Sequence, residues 1–292
     1  MKTILSKKEL DSKEKKIIEF VQAGEWGMLD SLIEAMPTEL AEHLLDGAEF
    51  SISPEIQSTW LWKATWLRKL YMASAKSSGW SGGDNARACI LALAISSRTG
   101  EKSIYRKKAN RIKTLDCSGL MSSGQRHVFD RKTHAAFIID LLNRALSVAQ
   151  NLEKIEFYVC NDAPLLLDRV NFPKNLKQLQ VSASGQSLDA TFLQRLPDLE
   201  TAHFQASRLL IDQSRSPRET KTKITVDERL LESLDPGVAE LLVAESRDLN
   251  FGHLQALSVQ DAGVLTLNKG ALNFGSLALE DECLNKLKAH PS

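Results

Sequence analysis

The sequence NLEKIEFYVCND (residues 151–162) contains a pattern that returns in FPKNLKQLQV (172–181) and TFLQRLPDLETAHF (191–204). In each copy an apolar residue is followed three positions later by a second, and two positions after that by a third. The last two alternate as they do in a strand with one buried face. Nearly even spacing of the copies predicts a short unit stacked many times. The sets are Leu152–Ile155–Phe157, Leu176–Leu179–Val181 and Leu199–Ala202–Phe204.

The same template fits further segments on both sides of these copies. A weak copy begins at Lys221 and depends on Ile224 and Val226 alone. The copies are predicted to contain strands that pair in parallel. Two alternatives stay open: the weak unit near Lys221 is an insertion, and the last three intervals reflect a changed register. The remaining copies are Ile112–Leu115–Cys117 upstream, and Val238–Leu241–Val243, Leu254–Leu257–Val259 and Phe274–Leu277–Leu279 downstream.

These segments resemble leucine-rich repeats, whose core reads LxxLxLxxN/C. Cys160 stands where that family often has Asn or Cys, and the LP of residues 196–197 leads into the next strand as it does in many repeats. The proline of FPKNLKQLQV is similar in position to that of the short repeats of bacterial effector proteins. The resemblance implies a solenoid with a parallel sheet, whose outer face binds a protein.

The first part of the chain is predicted to be helical. All five tryptophans lie between Trp26 and Trp80, and none lies among the repeats. Apolar residues recur at helical spacing from about residue 13 to 22, from 28 to 33, after Pro37, and in a long buried helix over 55–74. A loop at 77–85 is followed by a helix that Asp84 or Asn85 can cap, and a further helix is expected at about 133–149.

We therefore expect an α/β chain with two regions. Residues 1–108 form a helical N-terminal region, and residues 109–292 form an irregular leucine-rich-repeat solenoid with a parallel sheet. The helical region would cover the end of the solenoid, where a first repeat otherwise leaves apolar surface open.

The outward side chains of successive strands are expected to line up in rows and to form the partner-binding surface. Protein-binding surfaces draw much of their affinity from a few aromatic or arginine side chains, and Tyr158 and His203 are the rings in these rows. The alternative is an outer face that is only solvated. The candidate binding residues are Lys154, Glu156, Tyr158, Gln178, Gln180, His203, Gln205, Thr225 and Leu242.

Composition narrows the class of protein. Lys plus Arg and Asp plus Glu both number 37, so the net charge gives no argument for nucleic acid or a membrane surface as a partner. No apolar run is long enough to cross a bilayer, and the first residues do not read as a secretory signal. The four cysteines are widely separated, which is typical of reduced thiols. We expect a cytoplasmic protein, located in a host cytoplasm if it is an injected effector.

The sequence predicts no catalytic residue, no metal site and no cofactor. Cys117 and Cys283 lie beside acidic residues, which oppose thiolate formation. His127 and His134 are too far apart for a zinc helix. The basic run RKKANRIK (106–113) is interpreted as a solvated surface. Phosphate-binding and nucleophile-elbow motifs are absent from the sequence.

The leading functional hypothesis is a non-enzymatic protein–protein interaction module, with a bacterial effector as its narrower form. An alternative is an enzyme whose site lies in the N-terminal helical region or at its junction with the repeats. A third reading is a subunit whose Trp-rich helices form an obligate interface. The sequence leaves the partner and the oligomeric state open.

Overall fold

The computed structural model is a mixed α/β structure with parallel strands. The chain divides into two compact units, which we call the N-terminal unit (Met1–Leu176) and the C-terminal unit (Lys177–Ser292). The residues that the structure describes are 5–23, 26–46, 83–118, 131–158, 167–211, 222–275, 277 and 279–288.

Helices dominate the described part of the N-terminal unit up to residue 109. They are α1 (Lys7–Ala23), α2 (Trp26–Glu34), α3 (Thr38–Leu45), α4 (Gly83–Ser96), α5 (Ile104–Ala109) and, further on, α6 (Arg131–Leu146). Helices predicted from apolar spacing at 13–22, 28–33, after Pro37 and at 133–149 are confirmed. The helix predicted at 55–74 lies outside the described residues, as does most of the loop at 77–85.

Two helices begin at positions other than those predicted, and local capping explains the start of α1. The predicted start of α1 was six residues late, because Ser6 and Glu9 form a capping box: the Ser6 amide donates to Glu9 Oε2 (2.8 Å), and the Glu9 amide donates to Ser6 Oγ (3.4 Å). Helix α4 begins at Gly83, so Asp84 and Asn85 lie inside its first turn rather than before it.

The core of the N-terminal unit surrounds α4. Residues 90–95 of this helix are buried on all sides, as the run CILALAI allows. The apolar stripe of α6, which includes Ile139, Leu142 and Leu146, is also buried. Arg144 on α6 donates through Nε to Asp30 Oδ1 of α2 at 2.9 Å, and this half-buried ion pair joins the two helices.

Two parallel strands complete this unit, and both were predicted. β1 (Thr114–Ser118) pairs with β2 (Lys154–Tyr158), which aligns Leu115 with Ile155 and Cys117 with Phe157. These four template residues are all buried. Helix α6 makes the connection between the strands, as a parallel pair requires.

The C-terminal unit begins with three parallel strands, β3 (Gln178–Asp189), β4 (Thr201–Leu210) and β5 (Lys223–Val226). The template positions match across all three: Leu179 aligns with Ala202 and Ile224, and Val181 aligns with Phe204 and Val226. The weak copy at 221–226 therefore contains a strand as predicted. The pairing of β3 with β4 is interrupted between Ala183 and Ser187, where Gly185 has a φ of 72° that favours glycine.

The strand predicted at 238–243 is wrong, that at 254–259 is reduced to an isolated parallel bridge of Ala256 with Ser233, and the described residues of 274–279 form no strand. Residues 238–243 lie within helix α7 (Pro236–Ala244), and Val259 begins helix α8 (Val259–Leu265). The short strands lie elsewhere, at β6 (Leu249–Asn250) and β7 (Leu272–Asn273), and helix α9 (Asp281–Leu287) follows.

Capping residues explain these errors. The Asp235 side chain accepts from the Gly237 amide (3.1 Å), and Pro236 stands at the first helical position, where its fixed φ is compatible with a helix. Ser258 accepts from the Asp261 amide at 3.0 Å and so caps α8. An apolar template cannot distinguish a strand from one face of a short helix, so the caps decide.

Candidate functional site

The outer face of β3, β4 and β5 is the part of the predicted surface that the structure assembles within one unit. Along β4, Ala202 and Phe204 are buried, while the residue that follows each of them, His203 and Gln205 respectively, is partly exposed. The inward and outward alternation expected of the template is thus observed here. We call the outward residues of these three strands, with Asp227 immediately after β5, the strand face.

The rows predicted for this face are present across the three strands. Gln178 aligns with Thr201 and Lys223, and Gln180 aligns with His203 and Thr225. Ser182 aligns with Gln205. The candidate residues Gln178, Gln180, His203, Gln205 and Thr225 therefore lie on one surface, as predicted.

His203 is held by its neighbour in the row. Its Nδ1 atom lies 2.9 Å from Thr225 Oγ1, and that hydroxyl donates to the Ala202 carbonyl oxygen (3.3 Å). A hydroxyl has one proton, so it accepts from an Nδ1–H group of the imidazole. With Nδ1 occupied by Thr225, Nε2 is the ring nitrogen through which His203 can contact a partner.

A second cross-strand bond fixes Gln205. Ser182 Oγ donates to Gln205 Oε1, so the oxygen of this amide faces β3. Ser182 itself is buried, which anchors the contact. Side chains restrained in this way lose less conformational entropy when a partner covers them.

The edge of the strand face carries a charged pair. Arg229 donates through Nε and Nη2 to the two carboxylate oxygens of Asp227, at 3.0 and 3.3 Å. Burial alone would raise the pKa of Asp227, but the hydrogen bonds and charge of Arg229, with a contribution from His203, lower it below its ordinary value. Asp227 therefore stays ionised beside His203.

The candidates on β2 belong to the N-terminal unit. Lys154 and Glu156 form an ion pair with Nζ 2.5 Å from Oε1, and their side chains are 25% and 21% exposed. Each therefore already has a charged partner on its own strand. The Tyr158 side chain lies outside the described residues.

Leu242 is not a surface residue. It was predicted on the outer face of a strand, but it lies in α7 with 1% of its surface exposed. The reason is the helix that Asp235 and Pro236 begin, which turns Val238, Ala239 and Leu242 to the core.

The described cysteines are buried. Burial raises the pKa of the Cys117 thiol well above its ordinary value, and the adjacent Asp116 adds to this effect. Burial likewise raises the pKa of Cys283, with Glu280 and Glu282 contributing. Both thiols are therefore poor nucleophiles at neutral pH. Cys160 and His127 lie outside the described residues, as does the side chain of His134.

A sequence repeat that the template missed is visible in the second part of the C-terminal unit. The peptide LNFG occurs at 249–252 and again at 272–275, and each copy contains one of the short strands. β6 and β7 pair in parallel with Leu249 opposite Leu272, and the rings of Phe251 and Phe274 stack at 5.3 Å. A search for identical peptides, rather than for apolar residues in general, would have found this register.

No helix among the described residues is long and apolar enough to span a membrane. Comparison of the chain with known proteins gives no match: no protein-family model fits it, and no curated protein is significantly similar to it.

Proposed function

We propose that this chain is a non-enzymatic protein-binding module of irregular leucine-rich-repeat type, and that it binds its partner through the strand face. The expectations of a bacterial effector and of a cytoplasmic location accompany this proposal as predictions.

The repeat architecture is supported by the offset between contacting residues. Ser182 and Gln205 are 23 residues apart, His203 and Thr225 are 22 apart, and Asp248 and Ala271 are 23 apart. The chain of the C-terminal unit thus returns beside itself after nearly the same length at several places. A stacked repeat has this property.

The observation that carries the binding proposal is the ordered polar network on the strand face. His203 is fixed by Thr225, Gln205 is fixed by Ser182, and Asp227 is fixed by Arg229. Surfaces that are ordered before association bind with less entropic penalty. Their donors and acceptors favour a polar partner surface over an apolar one.

The test is an affinity capture with three forms of the full chain. The face variant combines Gln180→Glu, His203→Ala and Gln205→Ala. The control variant combines Glu240→Ala and Gln260→Ala, which change exposed residues on α7 and α8. Circular dichroism checks that all three forms fold.

We expect a protein that the native chain and the control variant capture and the face variant loses. Measured in purified form, its affinity should fall by at least about 10-fold in the face variant, the effect of losing roughly 1.4 kcal/mol. A partner that binds all three forms equally, or no partner for the native chain, would contradict the proposal.

A further inference from the structure

Three side chains with metal-binding atoms converge between α1 and α3 of the N-terminal unit. They are Asp11 and Glu14 of α1 and His43 of α3. One carboxylate oxygen from each acid and one ring nitrogen of the imidazole all lie within 4.8 Å of one another. In the part of the chain that the structure describes, no other set of three His, Cys, Asp or Glu residues converges in this way.

The helices position these side chains from both sides. Asp11 and Glu14 are three residues apart, so they share one face of α1. Ile17, the next residue on that face, is fully buried, which places the pair at the edge of the helix packing. The capping box of Ser6 and Glu9 fixes the backbone one turn earlier.

The packing of α3 fixes the backbone position of His43. It lies in the last turn of α3, between the buried Leu40 and Ala41 on one side and Leu44 and Leu45 on the other. Its carbonyl accepts from the Asp46 amide at 3.3 Å, which closes that turn. The imidazole is partly exposed, so an ion can reach it from solvent.

The ligand set suits a particular class of ion. One imidazole with two carboxylates is a donor set found for zinc and other first-row divalent metals, whereas calcium and magnesium prefer oxygen alone. With metal–ligand distances of about 2.0–2.2 Å, ligand atoms around a tetrahedral zinc are roughly 3.4 Å apart. Small changes of rotamer in partly exposed side chains would bring atoms from 4.8 Å to that separation.

Charge also favours a cation here. Two carboxylates that lie so close repel each other, and a bound dication removes that repulsion. We propose that Asp11, Glu14 and His43 form a binding site for a divalent transition metal, with Zn²⁺ as the best fit, and that water completes its coordination.

The competing explanation is a hydrogen-bonded contact among these residues that binds no ion. Titration with the metal alone separates the two. The full chain is treated with chelator, dialysed, and titrated with Zn²⁺ by calorimetry and with Co²⁺ by visible absorption, which reports coordination directly.

The variants are His43→Gln, Asp11→Asn and Glu14→Gln, which keep size and remove a ligand. Matched controls are Glu19→Gln, an exposed acid on the same helix, and His253→Gln, an exposed imidazole in the C-terminal unit. Circular dichroism establishes that each folds. Asp11→Asn keeps the test decisive if a more buried change disturbs folding, because Asp11 is exposed.

We expect the native chain and both controls to bind one Zn²⁺. His43→Gln should weaken binding by at least about 10-fold, since even changes in residues that only support metal ligands weaken binding 10- to 100-fold. Absence of binding by the native chain, or equal binding by the native chain and the three ligand variants, would overturn the proposal.

Discussion

Two segments of the C-terminal unit bring residues into contact that are nearly the same number of positions apart. They differ in the secondary structure between those residues. From 177 to 226, β3 and β4 are strands of 12 and 10 residues. From 227 to 288, β6 and β7 have two residues each, and helices α7, α8 and α9 lie before, between and after them, respectively. Both segments nevertheless place residues 21 to 23 positions apart in contact. The number of residues between contacting positions and the type of secondary structure between them are therefore determined by different features of the sequence.

Capping residues account for the difference. In the second segment Asp235 and Ser258 each stand directly before a helix and accept from an amide of its first turn. Between β3 and β4 the corresponding stretch holds only the short 3₁₀ turn Thr191–Arg195, whose preceding residue, Ala190, cannot cap with its side chain. Apolar spacing determines how many residues separate the contacting positions, and the capping residues determine whether the chain between them forms helices.

The start of the second segment, where Arg247 also donates to the Val226 carbonyl of β5 (3.4 Å), should be the most sensitive place to break this arrangement. Arg247 donates through both terminal nitrogens to Glu228, at 3.0 and 2.8 Å, and Glu228 also accepts from the Asn250 amide. The Glu228 side chain is 7% exposed. Arg247→Ala should lower the free energy of unfolding by about 3 kcal/mol, because it leaves a buried carboxylate without its charged partner.

The matched control for this change is Arg229→Ala. Arg229 pairs with Asp227 in similar geometry, but the pair is more exposed: its side chains are 67% and 12% exposed, against 39% and 7% for Arg247 and Glu228, so we expect a smaller loss. Urea unfolding of both variants measures the difference. Equal losses would mean that the more buried pair of Glu228 and Arg247 contributes no more than the exposed pair.

Removing a cap should sharpen the comparison with a smaller effect. Ser258→Ala removes the acceptor for the Asp261 amide, and we expect a loss of about 1 kcal/mol, measured by urea unfolding. Ser258→Thr, which keeps the acceptor and the hydroxyl that donates to Asp261 Oδ2, should recover most of it in comparison with the alanine form. Equal stability of native chain and alanine variant would show that the cap does not decide where α8 begins.

The smallest effect concerns the pH dependence of Asp261. Burial raises the pKa of this carboxyl, and nearby Asp235 adds to that, while Ser258 opposes it. The folded state therefore holds the proton more tightly than the unfolded state, and stability falls as pH rises through the range between the two pKa values. At neutral pH the ionised carboxylate is a small net penalty.

Asp261→Asn cannot ionise, so its stability relative to the native chain should be greater at about pH 7 than at about pH 3. Urea unfolding at the two pH values measures this. Glu228 should behave in the opposite sense: burial raises its pKa, but the hydrogen bonds and charge of Arg247, together with backbone hydrogen bonds, lower it below its ordinary value, so its contribution is lost as pH falls. A constant difference between variant and native chain would contradict the assignment for Asp261.

The first half of the described fold could be predicted from sequence because its signals do not conflict. In α3 and α6 the apolar spacing and the helix starts agree, whereas the start of α1 depends on the capping box of Ser6 and Glu9. At β1 to β4 the apolar template coincides with the observed strand. The alignment of Gln180, His203 and Gln205 with their neighbours could be predicted in the same way, because the rows depend only on strand alternation and repeat length; that these residues bind a partner stays a prediction.

The remainder failed where two signals compete. Leu242 has the apolar neighbours of a strand residue, yet Asp235 and Pro236 begin a helix first. The rows place His203 beside Thr225 and Ser182 beside Gln205, but whether these neighbours form hydrogen bonds depends on side-chain rotamers, which the row pattern does not specify. The convergence of Asp11, Glu14 and His43 likewise requires the packing of α1 on α3, which no local pattern encodes.

The stack of Phe251 on Phe274 has an evolutionary consequence. The two LNFG peptides place identical rings against each other 23 residues apart, so this segment packs against a near copy of itself. Under the proposed repeat architecture, duplication of a gene segment of that length would add a unit whose phenylalanine meets an identical ring. Duplication of a shorter piece would shift the register and separate the two rings.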